Sequence, residues 1–260
     1  MRALRNLFAL VVIVVVLGGG ALVAFRVART KPSNPEEIKA NLIAVSSAGS
    51  YLYAARVGQH VVLFDTGADP AGNPVDAALA GLHAGRNDVS EVFLTHAHGD
   101  HTAAAGGLPN AHVHLGQQDV PYAEGRTPWD SLVLRVMSKA MGTPSINVSS
   151  PLSGVQTVDL GDGKTVVKAI PVPGHTPGSY AYLYDGVLFL GDTAVFKQGR
   201  LDHGPGLFNS NTDQMKTSIN ALKQQLNGVE IAAVCTGHGG CTPLGLGRTL
   251  FDDFVGRVGG

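Results

Sequence analysis

The sequence predicts a sheet-rich α/β sandwich preceded by an apolar N-terminal helix. Three observations lead there. Residues 7–25 (LFALVVIVVVLGGGALVAF) carry no charge. Behind them the chain opens with hairpin patterns and only later intersperses helical ones, which suits a layered sandwich better than a uniform βαβ series. Short apolar runs end again and again in a glycine-flanked His or Asp, the pattern of strands that feed polar loops at one edge of a sheet. Composition agrees with a folded, non-basic domain. Lys+Arg number 19 against 20 Asp+Glu, a net charge of -1, so no basic surface for phosphate binding accumulates and a nucleic-acid partner is not expected. Charged residues are 15% of the chain and hydrophobic ones 44%, which excludes disorder; 34 Gly and 14 Pro without period exclude collagen and mark many tight turns.

Taken from the N-terminus, residues 1–27 read as a membrane anchor or signal segment. A helix over 7–25 spans roughly 28 Å, close to the hydrocarbon core of a bilayer. Arg2 and Arg5 precede it, and Arg26, Arg29 and Lys31 follow, so flanking charge does not set the orientation. Small residues at Gly19-Gly20-Ala21 offer a cleavage site, but the apolar run continues past them and favours an uncleaved anchor. Residues 28–40, with Pro32 and Pro35, form a short stiff tether, and residues 41–260 form the domain.

Within the domain, residues 50–57 and 60–64 make a hairpin about Gly58-Gln59. Further strands are expected over 91–94, 112–115, 164–171, 180–184, 187–190 and 231–235, with Asp185-Gly186 as a two-residue hairpin turn. Helices are expected over 75–82, 129–141 and 213–226. In the last, Met215, Ile219, Leu222 and Leu226 recur at helical spacing, Thr212 or Asp213 can cap the start, and Asn227-Gly228 stops it.

The chemistry lies at strand ends. Val92-Phe93-Leu94 runs into Thr95-His96-Ala97-His98-Gly99-Asp100-His101, three imidazoles and a carboxylate within six residues. These are ligands that zinc and similar borderline cations take. In extended chain His96 and His98 point to one side, while Asp100 and His101 fall on the turn that follows and can face a second ion. Three other strands deliver one polar residue each among glycines: His175 in PGHTPG, Asp192 in LGDT and His238 in TGHG. Seven candidate ligands are enough for two ions and a shared water. Asp65-Thr66-Gly67, with Asp192-Thr193-Ala194, superficially resembles the paired loops of aspartic proteases, but the second loop lacks its glycine.

With THAHGDH, PGHTPGS, LGDT and TGHG in this order, the chain resembles the metallo-β-lactamase superfamily from about Leu42 to the C-terminus. The resemblance implies an αββα sandwich with metals at one edge between the sheets. It implies two zinc ions per chain, one on His96, His98 and His175, the other on Asp100, His101 and His238, with Asp192 bridging them. An aspartate at position 192 is more like the glyoxalase II and lactonase branches. By the same resemblance Asp65 is a hydrogen-bond acceptor that orients the histidine loop. His203, in a loop soon after Asp192, is a candidate on the substrate side. Cys235 and Cys241 bracket His238. Either each is a small buried residue, or, if the domain is exported to an oxidising compartment, they pair as a disulfide that pins the glycine-rich loop.

The expected activity is therefore that of a zinc-dependent hydrolase acting on a small molecule: a metal-bridging hydroxide attacks a carbonyl, with Asp100 assisting the nucleophile. Lactones, thioesters, esters and β-lactams all suit it. Glyoxalase II proper is not expected, because 22 residues after His238 are too few for a helical glutathione-binding domain. The alternatives are a mononuclear iron persulfide dioxygenase of the same superfamily and a non-catalytic zinc-binding membrane protein. The expected placement is an extracytoplasmic domain, periplasmic or extracellular, held at the membrane by the N-terminal helix, or a secreted one if that segment is cleaved.

Overall fold

In a computed structural model, residues 20–259 are described. Residues 20–29 are helical (α1); most of the apolar run 7–25 lies outside the described residues, and among those described no helix is long and apolar enough to cross a membrane.

Strands β1 (Glu36–Lys39), β2 (Leu42–Ser47), β3 (Ser50–Val57) and β4 (His60–Phe64) form an antiparallel meander. After α2 (Asn73–Gly81) the chain adds β5 (Val89–Phe93) parallel to β4. The short helix α3 (Gly99–Thr102) leads to β6 (His112–Gly116). Helices α4 (Val120–Ala123) and α5 (Leu132–Met141) then precede β7 (Ser150–Leu152), and β6 and β7 extend the parallel half. The first sheet is thus seven strands in sequence order. The second contains β8 (Gln156–Asp159), β9 (Val166–Pro171), β10 (Tyr180–Tyr184) and β11 (Val187–Phe189). A small ribbon of β12 (Val195–Lys197) and β13 (Arg200–Asp202) and the helix α6 (Thr212–Gln225) follow. Strands β14 (Ala233–Thr236) and β15 (Gly240–Cys241) complete the second sheet in the order β15-β14-β11-β10-β9-β8, and α7 (Gly247–Val258) ends the fold.

Both faces of each sheet are covered, and strand alternation shows it. Along β3 and β4, Leu52, Ala54, Val61 and Leu63 join the core beneath α2, while Tyr53, Ala55, Val62 and Phe64 face the second sheet. In β10, Tyr180, Tyr182 and Tyr184 face the first sheet, and Ala181 packs in the core with Ile219, Leu222, Phe251 and Phe254 of α6 and α7. Period-two alternation between two buried faces is why these strands read as continuous apolar runs. Three stacked cores make four layers, αββα.

The central core is aromatic. Phe64 lies flat on Phe189 with ring centroids 3.9 Å apart and 8° between planes, and Phe93 and Tyr182 pack around them. This cluster joins β4, β5 and β11, whose C-terminal ends lead to Asp65, to His96 and His98, and to Asp192; His175 follows β9 and His238 follows β14.

Helix boundaries moved where turn chemistry intervened. The helix expected from Trp129 begins at Leu132, because Asp130 and Ser131 hold the chain non-helical and free Trp129 to stack on Tyr122 (4.3 Å, 6°). Helices α3, α4 and α7 and the short strands β1, β2, β7, β8, β12, β13 and β15 are additions to the expected elements.

Truncating the central aromatic contact should be costly. Phe64→Ala should destabilise the domain by about 3–5 kcal/mol, since the side chain is fully buried and its space cannot collapse without moving two sheets. Urea unfolding against the parent measures it; a loss below about 1 kcal/mol would show that this contact does not hold the sheets together.

Candidate metal centre

Strand β5 ends at Phe93, and the next residues leave the sheet with their side chains directed between the layers. His96, His98, Asp100 and His101 are brought together there with His175, Asp192 and His238. Three sets each converge so that one donor atom per residue lies within 4.8 Å of the others: His96, His98 and His175; Asp100, His101 and His238; and His96, His101 and Asp192. Asp192 stands between the first two. Its Oδ2 is 3.6 Å from His175 Nε2 and 3.3 Å from His238 Nε2, and its Oδ1 is 3.4 Å from His101 Nε2.

Hydrogen bonds on the far side of each ring decide which nitrogen faces this centre. Asp65, 2% exposed, accepts from the Thr95 N–H (2.7 Å), the Thr95 hydroxyl (2.8 Å) and His101 Nδ1–H (2.8 Å). Because the Thr95 hydroxyl proton is committed to Asp65, His96 Nδ1–H donates to Thr95 Oγ1 (3.0 Å). His175 Nδ1–H donates to Asn209 Oδ1 (2.9 Å) and His238 Nδ1–H to the Gly49 carbonyl (2.8 Å). His96, His101, His175 and His238 therefore turn Nε2 inward. Acceptors behind imidazoles fix tautomer and raise basicity in this way at metal sites.

The inward atoms include His96 Nε2, His101 Nε2 and Asp192 Oδ1, all buried and without a hydrogen-bond partner, while His98 turns its Nδ1 to within 3.0 Å of His175 Nε2. Leaving so many buried polar atoms unsatisfied is expensive, and three of them pointing at one small volume is what a cation site requires. Imidazole and carboxylate donors in two triads fit two divalent cations of the zinc class. Protonation states differ across the centre. Burial, aided by His101 and His175, holds His96 far below its usual range, and burial with His175 lowers His98 to about 3. For His101 and His238 burial opposes the charge, yet the carboxylates Asp192 and Asp100 outweigh it, raising His101 well above normal and His238 to about 10. Asp100 and Asp192, though buried, are held well below the usual carboxylate range by His101 and His238. In the metal-free protein at neutral pH His101 and His238 are thus protonated beside ionised Asp100 and Asp192, and a cation entering the second triad displaces those protons, so affinity there rises with pH.

Glycine permits the close approach. A Cβ on Gly237 would collide with Asp192 Oδ1 and stand 2.6 Å from His101 Cε1. The loop it belongs to is tied down by Tyr51 N–H to the Gly237 carbonyl (2.9 Å) and Gly237 N–H to the Gly191 carbonyl (2.8 Å). It is also closed by a disulfide between Cys235 and Cys241, six residues apart and directly paired across β14 and β15.

Two residues of consequence gave no sequence signal. Asp119, fully buried, accepts from Ala97 N–H (2.9 Å), the Thr176 hydroxyl (2.6 Å) and Gly178 N–H (2.7 Å). It clasps the His96–His98 loop to the His175 loop. Asn209 orients His175 from a turn 34 residues away. His203 is not brought to the centre; it is exposed and lines a neighbouring groove with Lys197 and Arg200.

Residues 47–238 match the profile of the Metallo-beta-lactamase superfamily. Among curated proteins the chain is similar to a hydroxyacylglutathione hydrolase of Halorhodospira halophila, 29% identical over 194 residues covering 74% of this chain and 62% of that one. It is also similar to a probable metallo-hydrolase of Methanocaldococcus jannaschii, 27% identical over 197 residues, 74% of this chain and 88% of the other. The chain spans about half the length of the hydroxyacylglutathione hydrolases it matches. In fold it is similar to a subclass B3 metallo-beta-lactamase of Bradyrhizobium japonicum, with a TM-score of 0.61 and 24% identity over 81% of this chain and 80% of that one.

Asp65→Asn should weaken metal retention about 10- to 100-fold, the usual effect of removing an acceptor behind a ligand, because an amide NH2 would face the donors on Thr95 or His101. Equilibrium dialysis with metal analysis reads this; unchanged affinity in a folded variant would remove Asp65 from the support of the site.

Proposed function

The chain belongs to the metallo-β-lactamase superfamily, and we propose that it is a zinc-dependent hydrolase that cleaves an acyl bond of a small molecule, in the manner of the glyoxalase II and lactonase branches. The observation that carries this reading is the pair of triads with Asp192 between them and buried, unpartnered polar atoms converging there. Two zinc ions held there would supply Lewis acidity toward a carbonyl oxygen and a hydroxide nucleophile at neutral pH.

The chain's own residues set the rest. Asp100 and Asp192 both line the cleft, and both remain ionised for the reason given above. Asp100 is the better placed to accept a hydrogen bond from the attacking water, because it is the more accessible of the two (side chains 23% and 13% exposed). It can hand the proton to the departing group. Trp129, Leu134 and Phe208 wall the same cleft and exclude bulk water from the reacting atoms. Asp65 and Asp119 hold the loops in register while this happens.

The complete second triad favours this reading over a mononuclear iron dioxygenase. Purified protein should contain about two zinc per chain and turn over at least one of a lactone, a thioester, an aryl ester or a β-lactam. One iron with oxygen uptake would support the dioxygenase, and zinc without turnover a binding protein. Asp192→Asn should lower turnover by at least about 10-fold and reduce metal content, because a neutral amide bridges two cations poorly. Full activity with two metals in that variant would exclude Asp192 from the centre.

We propose further that residues 7–25 hold the domain at the outer face of a membrane. The apolar length and the Cys235–Cys241 disulfide, a bond at home in oxidising compartments, support this placement. Phosphatase fused after Lys39 should be active in intact cells. An inactive phosphatase with an active cytosolic reporter at the same junction would reverse the topology.

A further inference from the structure

The cleft over the metal centre has two lobes separated by Phe208. One, of about 200 Å³, is lined by Trp129, Leu134, Met137, Ser138 and Phe208 above His98, Asp100, Asp192 and His238. The other, of about 260 Å³, runs past Val195, Gly204 and Pro205. Among the described residues neither lobe is lined by a Lys or Arg, so away from the metal centre they offer no cation for an anionic group on the substrate.

The first lobe is built as an apolar slot. Trp129 is locked flat against Tyr122 and edge-on to His98 (4.8 Å, 61°), and its carbonyl accepts from Arg135 of α5. Leu134, Met137 and Ser138 come from the inner side of α5. One turn back from Met137, Val133 continues the apolar strip outward; the two are 37% and 38% exposed, and residues four apart on a helix are neighbours. The slot therefore opens at its rim along α5. A rigid aromatic floor with an adaptable methionine at the mouth suits a flexible alkyl chain.

We infer that this lobe binds the acyl chain of the substrate, and that the substrate class is neutral carbonyl compounds with a medium-length alkyl chain on the acyl side, as esters, thioesters or lactones. The inference rests on the hydrolase reading for the reaction, though not for the binding.

Trp129 is the only tryptophan in the chain, so its fluorescence reports the lobe without turnover. The full-length protein, metal-free and zinc-loaded, is titrated with acetamide, butanamide, octanamide and the charged succinamate. Octanamide should change the fluorescence saturably in both forms. Affinity should rise by up to about tenfold for every two methylenes buried, until the slot is full; succinamate should give no response. With aryl acetate, butyrate and octanoate, kcat/KM should rise with chain length. Met137→Glu should cut the octanoate-to-acetate ratio by at least about tenfold, a charge at the mouth being unpaired when the chain enters. Val136→Glu, on the outer side of α5 and 60% exposed, should leave that ratio unchanged. Equal responses across the amides, tighter binding of succinamate, or loss of the chain-length preference in Val136→Glu would each overturn the inference. Chain-length-dependent amide binding with no hydrolysis of any ester would uphold the acyl slot and sink the hydrolase reading; hydrolysis indifferent to chain length would do the reverse.

Discussion

The Asp65 carboxylate accepts three hydrogen bonds in a place where no water reaches, and much of the site follows from that. By consuming the Thr95 hydroxyl proton it leaves His96 no choice of tautomer, and by taking the His101 Nδ1 proton it turns the other nitrogen inward. It sits at the end of β4 with φ at 59°, a left-handed conformation that aspartate tolerates better than most residues. That turn aims the side chain across to β5. Remove the carboxylate, and Thr95, His96 and His101 lose the common reference that aligns them.

Stability and function are opposed here, and the layered core absorbs the difference. Three buried polar atoms without partners are a standing cost that a domain bears only with surplus burial elsewhere. The aromatic stack of Phe64, Phe93, Tyr182 and Phe189 provides that surplus close to the loops that need it, and Tyr182 also donates its hydroxyl to the Leu94 carbonyl (2.7 Å) just before the histidine run. Tyr53 does the same for the Thr236 carbonyl beside His238 (2.6 Å). Each tyrosine joins core to site, its ring in the apolar layer and its oxygen on a loop.

What could be read in the sequence was whatever is encoded locally. The strands over 50–57, 60–64 and 180–184 carry their alternation within a few residues, and His96, His98, Asp100 and His101 announce their chemistry by type and spacing. Asp119 does not: its partners Ala97, Thr176 and Gly178 lie 22, 57 and 59 residues away, and a single aspartate among glutamines has no periodic context. Helix α7 repeats Phe251, Phe254, Val255 and Val258 at helical spacing, but Gly247 and Gly256 dilute the pattern and no side chain caps its start. Strands β7, β8 and β12 have three or four residues each, too few for a period to show. Pairing with neighbours, rather than propensity, makes them strands.

The parts that govern metal binding and the parts that would govern substrate choice are held by different means. The ligand loops are pinned by buried carboxylates, by backbone bonds between the sheets and by a disulfide, so a change there disturbs several ligands together. Helix α5 is anchored mainly through Leu134 and through Arg135, whose guanidinium reaches the Trp129 and Asp130 carbonyls; its outer residues Leu132 and Val136 are 74% and 60% exposed. Substitutions on its surface thus cost little in packing, while those one position nearer the cleft alter what the cleft admits. A fold arranged this way can exchange one acyl group for another by repacking a single helix, leaving the seven residues at the strand ends where the sheets put them.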